Sequence, residues 1–126
     1  MRDTEQVERA RRQLTPEVRE EVLDRIRKAV CDVARLRILQ ALSAGPITVD
    51  DLAIVIERAP PATSQHLRVL RELGLVEGAR RGTAIAYRLR PDPATDEVLA
   101  VVRLLAEGAR EREQGTAPRR GADDPA

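Results

Sequence analysis

Two short stretches carry the side chains best placed to do chemistry. Thr63-Ser64-Gln65-His66 open an apolar-periodic segment that also bears Arg68 and Arg71, and Arg80-Arg81-Gly82-Thr83 join two strand-like runs. Neither stretch is built for bond-breaking. His66 is the only histidine and Cys31 the only cysteine, so the chain holds no paired nucleophile and base and no Cys/His set for structural zinc. A Gly-rich phosphate loop is also missing. The residue types suit reading a duplex instead. A helix N-terminus that enters a major groove needs short polar side chains for base edges and phosphates. Glutamine can bond adenine through two atoms, and Ser, Thr and backbone N–H groups suit phosphate oxygens. Arg68 and Arg71 can hold the backbone, and Arg80, Arg81 and Thr83 stand where a hairpin tip would touch phosphates or a minor groove.

Global composition hides this. The 126 residues carry 22 Lys+Arg against 21 Asp+Glu, a net charge of +1, which gives no reason to expect a polyanion partner. From Arg58 to Arg90, however, seven arginines face only Glu72 and Glu77, so this module is +5 and the remainder −4. Tyr87 is the only aromatic residue, so the core must be aliphatic and stacking on single strands is nearly excluded. The lone cysteine gives no disulfide. The N-terminus is charged without an apolar h-region, and no run of 18 apolar residues exists. These features lead to the expectation of a bacterial cytoplasmic protein that is neither membrane-bound nor an enzyme.

The positioning elements follow from periodicity. Val7, Leu14, Val18, Val22 and Ile26 predict helix from Thr4 to about Lys28, with Thr15-Pro16-Glu17 as a cap that breaks it near Gln13. Leu36, Leu39 and Leu42 predict a second helix over 32–43, stopped by Gly45-Pro46. Thr48 caps a short helix through Ile56, and Arg58-Ala59-Pro60-Pro61 break the chain. The next helix runs from about Pro61 to Leu73, ended by Gly74. Strands are expected over 75–79 and 84–89, then a loop at Pro91-Asp92-Pro93. The last helix is expected to be capped by Thr95-Asp96-Glu97, with Val98, Val101, Val102, Leu104 and Leu105 inward. The fold class is mainly α with a small two-stranded β-hairpin, a winged helix-turn-helix flanked by extra N- and C-terminal helices.

Three pieces carry a family resemblance: Asp32 to Leu39 (D-x-x-R-L-R-I-L), Ser64 to Val76 (S-Q-H-L-x-V-L-R-E-L-G-L-V) and Arg80 to Leu89 (R-R-G-x-x-x-x-Y-R-L). Over roughly Cys31 to Arg90 the chain resembles the arsenic-repressor-like (ArsR/SmtB) winged-helix transcriptional regulators. The resemblance implies a homodimeric repressor on a pseudo-palindromic operator, with the first and last helices as interface and a divalent metal such as nickel or zinc as one class of effector. It also implies metal sites that this sequence lacks. The short helix, where relatives carry a thiolate pair, reads Ile47-Thr48-Val49-Asp50-Asp51-Leu52, and the last helix has Asp96, Glu97 and Glu107 without histidine.

The division expected is 1–30 as an N-terminal dimerisation segment, 31–90 as the DNA-binding domain, 91–114 as a C-terminal dimerisation helix and 115–126 as a disordered tail. Other readings remain for several features. Cys31 reads as a small buried hydrophobe near a dimer seam, with thiol-redox sensing, haem or soft-metal ligation as alternatives. Asp92, Asp96 and Glu97 read as helix-capping acids, with a cation site as the alternative. The whole motif could also serve as an interaction module, or as a regulator without its own sensor that needs an accessory protein.

Overall fold

A computed structural model describes residues 3–14, 17 and 19–115. The elements are α1 (Thr4–Arg12), α2 (Glu20–Val30), α3 (Val33–Leu42), β1 (Ile47–Thr48), α4 (Val49–Ile56), α5 (Pro60–Glu72), β2 (Val76–Arg81), β3 (Ala84–Leu89) and α6 (Pro93–Glu113). The long N-terminal helix is thus two helices. The expected cap includes Thr15 and Pro16, which lie outside the described residues, as do most of the expected tail residues, 116–126.

The core is aliphatic throughout. Ile38, Leu39 and Leu42 of α3 meet Leu52 and Ile56 of α4, Leu67 and Leu70 of α5, and Leu75 and Val76 at the start of the hairpin. Val98, Leu99 and Val102 of α6 close it from the other side, with Ala29 of α2. Each fully buried Leu or Ile here contributes about 1.5–3 kcal/mol relative to exposure. Tyr87, the sole aromatic, packs half-buried against this cluster.

Helix α3 begins at Asp32, whose carboxylate accepts the Arg35 N–H at 3.1 Å. Helix α4 begins at Thr48, whose hydroxyl oxygen accepts the Asp51 N–H. The turn between α4 and α5 is tight. Glu57 takes a left-handed conformation with φ of 57°, which places the Arg58 N–H on the Ala53 carbonyl at 3.0 Å. Such a φ costs a non-glycine residue about 1–2 kcal/mol.

The hairpin comes with a third strand. Ile47 pairs with Tyr87 and Thr48 with Ala86, so the sheet runs β1-β3-β2, all antiparallel. A two-residue strand carries no alternation that a sequence reading could detect. The hairpin itself pairs Arg81 with Ala84, which leaves only Gly82-Thr83 as the loop. Gly82 has φ of 64° and Thr83 is not left-handed, the pattern of a type II′ turn with glycine first. Arg80 and Arg81 are therefore strand residues with fixed facing, not tip residues.

The last helix starts earlier than expected. Asp92 is its N-cap, accepting the Thr95 N–H at 3.1 Å, and Pro93 occupies the first turn, where a missing N–H costs nothing. Thr95 is buried rather than capping. Val98 and Val102 point inward as expected, joined by Leu99, but Leu104 and Leu105 remain 68% and 46% exposed.

Candidate nucleic-acid interface

Helix α5 divides cleanly by exposure. Thr63, Leu67 and Leu70 are buried, whereas Ser64, Gln65, Arg68 and Arg71 are exposed. Successive residues of a helix are 100° apart, so Ser64, Arg68 and Arg71 form one outward ridge with Gln65 beside it. The guanidinium of Arg68 lies 3.5 Å from Glu72, an exposed i,i+4 pair worth only tenths of a kcal/mol and easily exchanged for another anion.

Two members of the expected set lie off the outward ridge. Thr63 does not face outward: its hydroxyl donates to the Ala59 carbonyl at 3.0 Å, which lets a polar residue sit in the core. His66 is half-buried, and its Nδ1 is enclosed with no hydrogen-bond partner among the described residues. It lies near Asp32 at the start of α3. Partial burial opposes the charge of Asp32, but the Arg35 N–H, the nearby His66, the Arg35 guanidinium and the Ala34 N–H together outweigh it. The Asp32 carboxyl is held below the ordinary range. His66 therefore sits between α5 and α3, away from the outward ridge.

The start of α5 is also poorer in donors than a typical helix N-terminus. Its N-cap is Ala59, which makes no side-chain bond, and Pro60 and Pro61 have no N–H. The Thr63 N–H already bonds Ala59 at 3.0 Å, which leaves Ala62 as the free amide of this turn. The two prolines explain why an uncapped start is stable, and they shift recognition from backbone amides to the side chains of Ser64 and Gln65.

The hairpin stands beside the C-terminal half of α5. Arg80, Arg81 and Thr83 are all exposed. Strand alternation puts Arg80 on the face of Val76 and Gly78, towards Arg71, and Arg81 on the opposite face. Arg88 is engaged by Glu77, with Nη2 at 2.8 Å and Nε at 2.9 Å from one carboxylate oxygen. Arg90 pairs with Asp92 at 3.4 Å. Arg90 and Tyr87 belong to the same surface as Arg71 and Arg80, although they were not among the expected contacts. The local +5 sum was the one signal that included Arg90.

The candidate metal ligands are not brought together. Among the described residues, no three His, Cys, Asp or Glu are grouped as a cation would require. Cys31 is exposed at the end of α2, not the buried hydrophobe expected. Asp92 is committed to Thr95 and Arg90, while Asp96 and Glu97 point to solvent one turn further on. The protomer's residues do not fit the metal sites implied by the resemblance.

Comparison with known proteins agrees with this architecture. A family model described as bacterial regulatory protein, arsR family, matches residues 32–78. The HTH-type transcriptional regulator NmtR of Mycobacterium tuberculosis is 48% identical over 62 residues, covering 49% of this chain and 52% of that protein. The chain thus spans about half the length of that relative. The crystal structure of the AntR antimony-specific transcriptional repressor superposes with a TM-score of 0.63 at 31% identity, covering 80% of this chain and 96% of that one. A homodimeric winged helix-turn-helix DNA-binding domain from Mycobacterium bovis, solved in solution, gives a TM-score of 0.60 at 25% identity, covering 84% and 99%. No helix among the described residues is long and apolar enough to cross a membrane.

Proposed function

The chain belongs to the ArsR family of bacterial regulatory proteins, and from that premise we propose that it is a homodimeric transcriptional repressor that binds a pseudo-palindromic DNA operator. The observation that carries this reading is the outward ridge of α5. Ser64 and Gln65 stand at its N-terminal end, followed by Arg68 and Arg71, next to a hairpin with Arg80 and Arg81 exposed. In this reading Ser64 and Gln65 meet base edges in the major groove. Arg68, Arg71, Arg80, Arg81 and Thr83 hold the backbone, Thr63 packs within the motif, and His66 positions α5 against α3. Residues 31–90 form the DNA-binding domain, and residues 1–30 and 91–114 form the dimer interface.

Dimerisation is supported by what the protomer leaves uncovered. No residue of α1 is buried. A nine-residue helix is marginal in water without a surface to pack on. Leu14 and Leu23 are 72% and 51% exposed, and with Leu104 and Leu105 they offer an aliphatic surface on the terminal segments. A second copy is the economical cover for it.

Relatives include repressors named for antimony and for arsenical resistance, which makes a metal or metalloid the effector class to test first. Nickel or zinc held by Cys31, Asp92, Asp96 or Glu97 would need ligands drawn from both protomers. The decisive experiment titrates the purified protein on its own upstream region across a salt series. Each phosphate contact contributes about −0.9 to the slope of log K against log salt. Replacing Arg80 and Arg81 by Ala flattens the slope by about 1.8 if both bind phosphate. A wild-type protein with no salt-sensitive DNA binding would shift the motif to a protein-interaction role. Repeating the titration with nickel, zinc or an oxidant tests direct sensing, with Cys31→Ser and Asp96→Ala/Glu97→Ala beside it.

A further inference from the structure

The exposed apolar residues of the hairpin converge. Gly78 pairs with Tyr87 and Arg80 with Ile85, so these residues share one face of the β2–β3 ladder. A Cβ on Gly78 would stand 3.1 Å from Ile85 Cγ2 and 3.3 Å from Tyr87 Cε1. Both side chains therefore close over the glycine and meet in one apolar plate. Ile85 is 49% exposed and Tyr87 only half-buried, so the plate faces solvent. It floors an open groove of about 410 Å³ between the hairpin and the end of α5.

Two guanidiniums stand at the rim of this plate, Arg71 of α5 and Arg80 of β2. Neither has an ion-pair partner among the described residues. Glu77, the only acid lining the groove, is taken by Arg88, and Arg90 is held by Asp92. Contact with DNA phosphates engages the guanidiniums but makes no use of Ile85 and Tyr87. The apolar plate is thus the part of the groove that phosphate contact leaves idle. An apolar floor with a few convergent polar groups is the ordinary make-up of a small-ligand site, and such sites span about 300–1,000 Å³.

We propose that the groove binds an amphiphilic organic anion, a carboxylate or phosphate head on an apolar body, as an effector that competes with DNA. The head is held by Arg71 and Arg80, whose guanidinium forks match paired anionic oxygens. The body lies on Ile85 and Tyr87, which supplies hydrophobic affinity that a bare anion lacks. A ligand so placed occupies two arginines that the proposed function assigns to the DNA backbone. It therefore binds the DNA-free protein and shifts the operator equilibrium toward release by mass action. The release rests on the DNA-binding reading above, whereas the site itself does not.

Tyr87 makes the test specific. It is the only aromatic residue, so ring-labelled tyrosine gives one set of NMR signals from the groove itself. The full chain is titrated with octanoate and with octyl phosphate, below their micelle concentrations and at constant ionic strength, with and without a random-sequence duplex. Each is expected to move the Tyr87 signals saturably and to raise the apparent duplex Kd with the same midpoint. Octanol and inorganic phosphate, which carry one half of the chemistry each, leave the duplex bound. Ile85→Ala weakens octanoate about tenfold while duplex affinity and salt slope stay as in the wild type. Ile85→Val, which keeps most of the apolar surface, restores the response. Far-UV circular dichroism checks that each variant is folded. Unmoved Tyr87 signals with intact duplex binding would overturn the site and leave DNA binding standing. Equal release by inorganic phosphate, or an unchanged octanoate response in Ile85→Ala, would overturn the apolar half of the site. Saturable movement of Tyr87 that leaves the duplex bound would overturn the competition. Movement of Tyr87 in a wild type that binds no duplex would sink the DNA-binding reading and keep the site.

Discussion

Helix α5 and the terminal helices of this chain are built to opposite rules. In α5, apolar residues are inside and arginines outside: Leu67 and Leu70 are buried while Arg68 and Arg71 face solvent. Elsewhere in the motif the division is looser, with Val33, Ile54, Val55 and Ile85 exposed. In the terminal segments the division fails. Helix α1 buries nothing, and Leu14, Leu23, Leu104 and Leu105 lie open. Helix α5 is covered on its apolar side within the single chain and presents a charged side outward. The terminal helices are incomplete as a single chain and lack an apolar partner. One region is therefore read through salt dependence, and the other through concentration dependence.

The comparison can be broken most forcefully in the core. Leu70→Ala removes a side chain with no exposed surface and should cost about 2–5 kcal/mol, read by chemical denaturation at fixed protein concentration. Leu104→Ala should do the reverse. Thermal stability of the isolated protomer should stay put, while the dimer loses about 1.5–3 kcal/mol, seen as weaker self-association in sedimentation. An unchanged association constant would place the interface elsewhere. Gln65→Ala sharpens the motif side. It should cost roughly 1–3 kcal/mol at one or two base pairs and leave the salt slope alone, measured on a panel of single-substituted operators.

Two smaller effects lie inside the motif. Asp32 caps α3 and has a depressed pKa, so it contributes stability that is present above the unfolded carboxylate value of about 3.9. That stability is lost as pH falls through the lower folded value. Asp32→Asn keeps a capping oxygen and should flatten the acid limb of a stability–pH curve, whereas Asp32→Ala should cost about 1 kcal/mol at neutral pH. An identical acid limb in Asp32→Asn would show that the charge does not matter there. Glu57→Gly relieves the left-handed residue between α4 and α5 and should raise stability by about 0.5–1 kcal/mol in thermal melts.

Much of the fold can be read from the residues alone. The helices show their three- and four-residue apolar spacing, Gly74 ends α5, and Gly82 marks the hairpin. Less of the surface can. Thr63 looks like its neighbours Ser64 and Gln65, and only the distance to the Ala59 carbonyl reveals that its hydroxyl is satisfied inside. Thr95-Asp96-Glu97 have the types of a cap, and only the distance from the Thr95 N–H to the Asp92 carboxylate shows that the helix starts earlier, at Asp92. Cys31 has the composition of a buried residue but ends a helix at the surface. Strand β1 exists because Tyr87 and Ala86 offer it partners, not because Ile47-Thr48 favours extension strongly.

By itself, the order of residues determined the helix-turn-helix with its wing, the aliphatic core and the concentration of positive charge between Arg58 and Arg90. These depend on local periodicity, turn chemistry and counting, all of which act over a few neighbouring residues. Tertiary structure alone decided which polar side chains face outward, which arginines are already paired, and that Arg71 and Arg80 share one groove. Those outcomes depend on distances between residues far apart in the chain, where a shift of one helical position turns a buried hydroxyl into an exposed one.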